Sequence, residues 1–202
     1  MILYGTGDFL LKVYQTALAA DHSPKACFIE PLEPLPALPI PQLGTYDPHL
    51  YPDEPVFLAF LDNTHRRNLS RRLHHPLAPP IIHPTAQLHP SVHIGQGTFI
   101  GPFVCIEENT RIDALVIIEE GTIISPGVSV AEGTYIGPSC QIAAHTVIGA
   151  YVYIGAGAIL QPASQSTPLY IGEGTIIGPG IRVSSSCPAF SWLTTEKSWP
   201  VR

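Results

Sequence analysis

The sequence predicts two architectures in succession, a small α/β unit over residues 1–80 and a parallel β-helix over 81–183, followed by a cap or tail over 184–202. Three observations predict this. Short apolar runs alternate with helically spaced segments before residue 80. Every sixth residue from Ile82 to Leu160 is Ile, Leu or Val, fourteen in a row. "HHPLAPP" (74–80) separates the two patterns and reads as a linker.

In the first part, "ILYG" is a short apolar run ending in glycine and reads as a buried strand. "DFLLKVYQTALAA" follows at helical spacing, with Phe9, Leu10, Val13, Ala17 and Leu18 on one face and Asp8 near the N-terminus. "KACFIE" and "PVFLAFLD" (55–62) read as further strands, and "NTHRRNLSRRLHH" as a helix capped by Asn63 or Thr64. This order is Rossmann-like. Nine prolines between Pro24 and Pro55 exclude a helix or central strand there and predict an extended surface connection with at most one short strand. Arg66, Arg67, Arg71 and Arg72 read as a solvated helix face.

In the second part, each hexad supplies a short strand and a corner, and three hexads close a triangular coil. Coils stack at about 4.8 Å, the spacing between paired strands. The large aliphatic points into the prism, so Ile118 stacks with Ile100, Ile136 and Ile154. Four residues after each aliphatic stands a small or β-branched residue, such as Thr98, Val104 or Ala158. Glycine often follows the aliphatic directly, as at Gly95, Gly101, Gly137, Gly149 and Gly155, and is expected to relieve the corner backbone. A repeat this short cannot bury its own face and implies a solenoid. The register breaks at "QPASQSTPLY", an outward loop or a shortened turn at about 161–170, and resumes five residues out of phase at Ile171, Ile177 and Val183. The tail with Trp192 and Trp199 is expected to cap the open end.

Composition excludes several functions. Hydrophobic residues make up 45% and charged residues 13%, which indicates a folded protein. Net charge is -6 and no basic stripe is interleaved with aromatics, so nucleic acid is not an expected partner. No stretch reaches the roughly 18 apolar residues of a membrane span. Cys27, Cys105, Cys140 and Cys187 form no CxxC pair, and "MILYGTG" lacks the features of a signal peptide, so reduced thiols and a cytoplasmic location are expected. His74, His75, His83, His89 and His93 crowd the linker and first coils, but only His145 lies beyond them, so no zinc triad and no metal is expected.

The [LIV]-G-x-x-[STAV]-x repeat resembles that of left-handed β-helix acyltransferases. "ILYGTGDFLLKVYQTAL", "ACFIE", "FLDNTHRRNLSRRL" and "IIHPTAQLHPSVHIGQGTFIG" together resemble the sialic-acid O-acetyltransferase and UDP-4-amino-sugar N-acetyltransferase family. The resemblance implies a left-handed coil and a homotrimer. It also implies acetyl-CoA as co-substrate and acyl transfer to an amine or hydroxyl of a sugar or nucleotide sugar. It places Gly5, Gly7, Glu30 and Asn63 at the sugar-nucleotide site. It lays the CoA arm near 143–180, around Gly155, Ala156 and Ala158 and the loop 161–170.

Two departures stand out. The family's turn runs Gly-x-Gly-Gly-His, whereas this chain reads "GTGDFL", with an acid where a diphosphate would approach. The family's Glu-His pair falls on Ser125 and Pro126, neither of which is a base. His145, one coil further on, is the candidate catalytic base, with Glu107 and Glu108 as candidates to orient one. The alternative reading is a non-catalytic trimeric homologue with a binding or structural role.

Overall fold

The computed structural model describes residues 1–30, 38–162 and 167–194. The proline-rich stretch 31–37, four residues of the 161–170 loop and the tail from 195, with Trp199, lie outside the described residues.

The α/β unit contains β1 (Ile2–Gly5), α1 (Gly7–Ala19), β2 (Ala26–Ile29), β3 (Val56–Ala59) and α2 (Asn63–Ser70). The three strands form a parallel sheet in the order β2-β1-β3 and are buried throughout, as continuous apolar strands must be. Beside β2, Gln42 bridges Cys27, the one short pairing expected of the proline-rich connection. All four cysteines are free, and burial pushes the Cys27 thiol up to about 11.

Local structure differs from the sequence reading at three places. Asp62, not Asn63 or Thr64, caps α2, its carboxylate accepting from the His65 amide. Leu18 is 48% exposed, while Tyr14 takes its place on the buried stripe of α1. Arg66 is not part of a solvated face. It is 1% exposed, because α2 meets the second part of the chain along that side.

That second part is a left-handed parallel β-helix of two-residue strands, from Ile81–Ile82 to Trp192–Leu193 among the described residues. The strands fall into three sheets, the faces of a triangular prism. On the first face Ile118 sits between Ile100 and Ile136, with Ile154 next, and all four are fully buried. The second face carries Cys105, Ile123, Gln141 and Ile159 outward, and the third carries Arg111, Ser129, Val147 and Tyr170. Threonines at the narrow positions bond across the prism, as Thr122 Oγ1 does to the Gly137 carbonyl at 2.9 Å.

Glycine acts differently from the expectation. Gly95 and its equivalents do not take a corner conformation. A Cβ on Gly95 would lie 2.4 Å from the Ala114 nitrogen of the next coil, so these positions permit close stacking. The left-handed corner residues stand two places later, for example Gly127 at φ 68° and His145 at φ 58°. Beyond Leu160 the partner is Val183, so that coil is five residues longer than its neighbours, and the extra length leaves the corner between the second and third faces.

The α/β unit packs on the lower first face, where Phe9 of α1 meets Phe99 at 5.4 Å between ring centroids. Lys12 of α1 binds both Glu119 and Glu120 of the prism. Burial pushes the Glu119 carboxyl up, with Lys12 offsetting part of that.

Candidate functional site

Three regions collect the residues that the sequence singles out. The first is a cleft of about 530 Å³ at the carboxyl ends of the parallel strands, the usual ligand position in such sheets. Gly7 lines it at φ 57°, as the first residue of α1. Gly5 lies just behind, where a Cβ would meet the Ala59 carbonyl oxygen at 2.5 Å. Glu30 lines it too, with Oε1 3.1 Å from both the Tyr4 hydroxyl and His65 Nε2. Burial and the Glu30 charge push the Tyr4 hydroxyl well above its ordinary value, so it stays a donor. His65 was not singled out from sequence; its signal is its place in the first turn of α2, facing the end of β2.

Asn63 is not turned to this cleft. Its Nδ2 donates to the Tyr151 and Val152 carbonyls at 3.3 and 2.9 Å, and its Oδ1 accepts from Arg66. The amide thus ties the start of α2 to the prism.

The second region is the second prism face. A depression of about 300 Å³ there is lined by Ile123, Ser125, Gln141, Ala143, Ile159 and Gln161. Ser125 therefore opens onto a groove that runs along the coils. On one side lies the corner of Ala156, which is exposed, and Gly157. Gly155 is buried beneath the next coil, and the Ala158 methyl is in the prism core.

On the other side of that face is the corner column Asn109, Gly127, His145. The imidazole of His145 leans back by one coil. A Cβ on Gly127 would lie 2.6 Å from His145 Nδ1, so the ring occupies room that only glycine leaves. The His145 amide also donates to the Pro126 carbonyl at 3.0 Å. The ring thus lies at the level of Ser125 and Pro126, nearer than the spacing of about 5 Å between coils suggests. It is exposed, and among the described residues the imidazole has no hydrogen-bond partner. Glu108 lies one coil below that level, its carbonyl accepting from the Gly127 amide at 2.9 Å.

The third region, beside α2, was not legible in advance. Tyr151, Tyr153, Ile176 and Phe190 form an open aromatic wall there.

Comparison with known proteins agrees with this architecture. Residues 127–162 match the bacterial transferase hexapeptide (six repeats) family model. No curated protein matches the chain. The perosamine N-acetyltransferase of Caulobacter crescentus, solved with CoA and GDP-perosamine, is 26% identical over 95% of this chain and 91% of its own, with a TM-score of 0.85. Two further structures of that enzyme carry a replaced histidine, one asparagine and one alanine. The acetyltransferase domain of PglB from Neisseria gonorrhoeae, solved with acetyl coenzyme A, is 19% identical over 99% of this chain and 98% of its own, with a TM-score of 0.82. WeeI from Acinetobacter baumannii is 20% identical over 98% and 99%, with a TM-score of 0.79. The chain thus shares the left-handed β-helix architecture of hexapeptide-repeat acetyltransferases, with the α/β unit in front. No helix among the described residues is long and apolar enough to cross a membrane.

Proposed function

We propose that this protein is an acyl-CoA-dependent acetyltransferase acting on an amine or hydroxyl of a sugar or nucleotide sugar. The observation that carries the reading is its likeness, over nearly the whole chain, to an N-acetyltransferase solved with CoA and a nucleotide sugar. The division at 80/81 is part of the proposal, supported by the change from α/β sheet to stacked coils at Ile81; the upper boundary moves from 183/184 to beyond Leu193, because Trp192–Leu193 adds a further rung to the first face. The acceptor enters at the strand-end cleft by Gly7 and Glu30. The CoA arm runs along the second face, with Gly155, Ala156 and Ala158 at its edge. Ala158 is fully buried, with its amide and carbonyl bonded to Gly155 and Gln141, so it shapes that edge from beneath.

The chemistry requires a base. The acceptor nitrogen or oxygen attacks the thioester carbonyl, a new C–N or C–O bond forms, and the C–S bond breaks. The proton lost by the acceptor passes to His145 and then to the departing CoA sulfur. An imidazole can take up a proton at one ring nitrogen and return it, which suits it to this role. His145→Ala should lower turnover about 10²–10⁴-fold, with acetyl-CoA affinity unchanged by calorimetry. Turnover that survives the change would place the base elsewhere.

One observation favours a second reading, a non-catalytic trimer: Ser125 and Pro126 stand where the resemblance puts an acid and a histidine. CoA binding without release of free thiol across a broad panel of amines and sugars would select it.

The working form in either case is a homotrimer, and its setting the cytoplasm. Ile123, Val147 and Tyr170 are 45%, 37% and 54% exposed on the second and third faces of the single chain. Lys and Arg between 82 and 183 are limited to Arg111 and Arg182, so these faces gain by packing together. Light scattering should give three times the 21.8 kDa chain mass; a stable monomer at micromolar concentration would refute the trimer.

A further inference from the structure

The aromatic wall beside α2 has no part in the transfer chemistry above. It encloses about 520 Å³, bounded by Tyr151, Tyr153, Ile176 and Phe190 of the prism and by Arg67 of α2. It shares Leu61 and Asp62 with the acceptor cleft, so the two clefts meet at the N-terminus of α2.

The wall exists because α1 covers only the lower first face. Phe99, Ile117 and Tyr135 are buried beneath the α/β unit, while Tyr153 and Ile176 higher on that face are each 40% exposed. Its rings are fixed. Tyr153 stacks on Tyr135 with centroids 4.9 Å apart. Phe190 is 70% exposed yet lies over Gly174, where a Cβ would come 2.6 Å from the ring. Arg67 lies over the Tyr151 ring at 4.4 Å. Among the described residues its nearest carboxylate, Glu173, is 4.0 Å away and its buried Nε has no hydrogen-bond partner, so the guanidinium is not fully paired.

Flat ring faces surrounded by forked polar groups suit a pyranose. Its axial C–H face lies on an aromatic ring, and its hydroxyls both donate to carboxylates and accept from a guanidinium. Charge argues against a diphosphate. The joined clefts present Asp8, Glu30, Asp62 and Glu173 against Arg67 and His65. The N-termini of α1 and α2 would attract an anion, but Asp8 and Asp62 already stand there.

We infer that the joined clefts take a saccharide of at least two rings without a diphosphate, one ring stacked on Tyr153 and Phe190 and the next in the cleft by Glu30. This rests on the sugar-acceptor reading and narrows it. The test is ligand binding by saturation-transfer NMR and calorimetry, without CoA, using the full chain. The probes are chitobiose and N,N′-diacetylchitobiose, set against UDP and GDP. At least one disaccharide should bind, and more tightly than either nucleotide. Phe190→Ala and Tyr153→Ala, both at exposed rings, should each weaken it about tenfold, the equivalent of one aromatic contact, with melting temperatures held. A nucleotide that binds more tightly than both disaccharides overturns the inference. So does the absence of disaccharide binding, or an affinity indifferent to both ring deletions. Because no CoA is present, each of these outcomes leaves acetyl transfer to be judged separately by thiol release.

Discussion

Ile118→Asp is expected to prevent the prism from forming. Ile118 is fully buried in the column between Ile100 and Ile136. Its neighbours there are aliphatic, and the backbone amides around it are already spent on the rungs above and below. A carboxylate in that column has no donor. It must stay charged without a partner or take up a proton, at a cost of several kcal/mol, a large share of a typical domain's stability. The stack also transmits the damage, because each coil is held only by its two neighbours. Circular dichroism and gel filtration should show loss of the strand signal or aggregation. Gln96→Asp provides the comparison. Gln96 is exposed, and only its backbone carbonyl is engaged, by the Leu115 amide. That change should shift stability by no more than about 0.5 kcal/mol. Equal melting of the two variants would invert the assignment of inside and outside.

Arg66→Ala should be the next most damaging change. The guanidinium spends five hydrogen bonds where the α/β unit meets the prism. Nε donates to the Leu115 carbonyl at 3.2 Å, Nη1 to the Phe60 and Leu61 carbonyls at 2.7 and 3.1 Å, and Nη2 to Asn63 Oδ1 and the Gly133 carbonyl at 3.0 and 2.7 Å. Burial pulls its pKa down to about 10, so it remains charged at neutral pH. Truncation removes the donor from all five acceptors at once, and each buried acceptor left unmade costs roughly 1–3 kcal/mol before water and relaxation recover part. A net loss of about 3–5 kcal/mol is expected. Arg66→Lys should rescue little, since one ammonium cannot span acceptors set for a planar fork. Urea denaturation measures the loss, and hydrogen exchange should show it first in α2 and β3. An unchanged midpoint would mean that the two parts are held together by other contacts, such as those of Phe9, Lys12 and Asn63.

The contrast between Ile118 and Arg66 marks what a sequence can carry. Ile118 belongs to a six-residue period, and a period fixes inside from outside without knowledge of the partners. Arg66 belongs to two arginine pairs, 66–67 and 71–72, whose pattern says only that the helix is polar. Its burial follows from a contact with Leu115 and Gly133, far along the chain, which no local pattern encodes. The strand-end cleft was legible through Gly7 and Glu30, whereas the turn of the Asn63 amide toward the seam was not. The aromatic wall was hidden for a different reason. Tyr151 and Phe190 occupy corners, where the backbone accepts almost any residue: Phe103, Asn109, Leu115, Ser139 and His145 all take the same left-handed conformation. One signal was nevertheless available. A large corner residue lies over glycine one coil earlier, as Leu115 over Gly97, His145 over Gly127 and Tyr151 over Gly133, each at a spacing of eighteen.

The two ends of the prism are finished unequally. At the first rung Ile81 is completely buried and α1 presses against it, while the last described rung, Trp192–Leu193, has a half-exposed indole and among the described residues pairs only with Ile176–Ile177. The stack therefore behaves as a zipper with one glued end. Heating should undo it in a fixed direction, from the tryptophan rung downward, and the 23-residue spacing between Leu160 and Val183 marks the natural first stop. Below that point the coils bearing His145 and Ile118 are still latched to the α/β unit through Arg66 and Asn63. Loss of the upper rungs should therefore precede loss of the coils that bear His145 and Ile118.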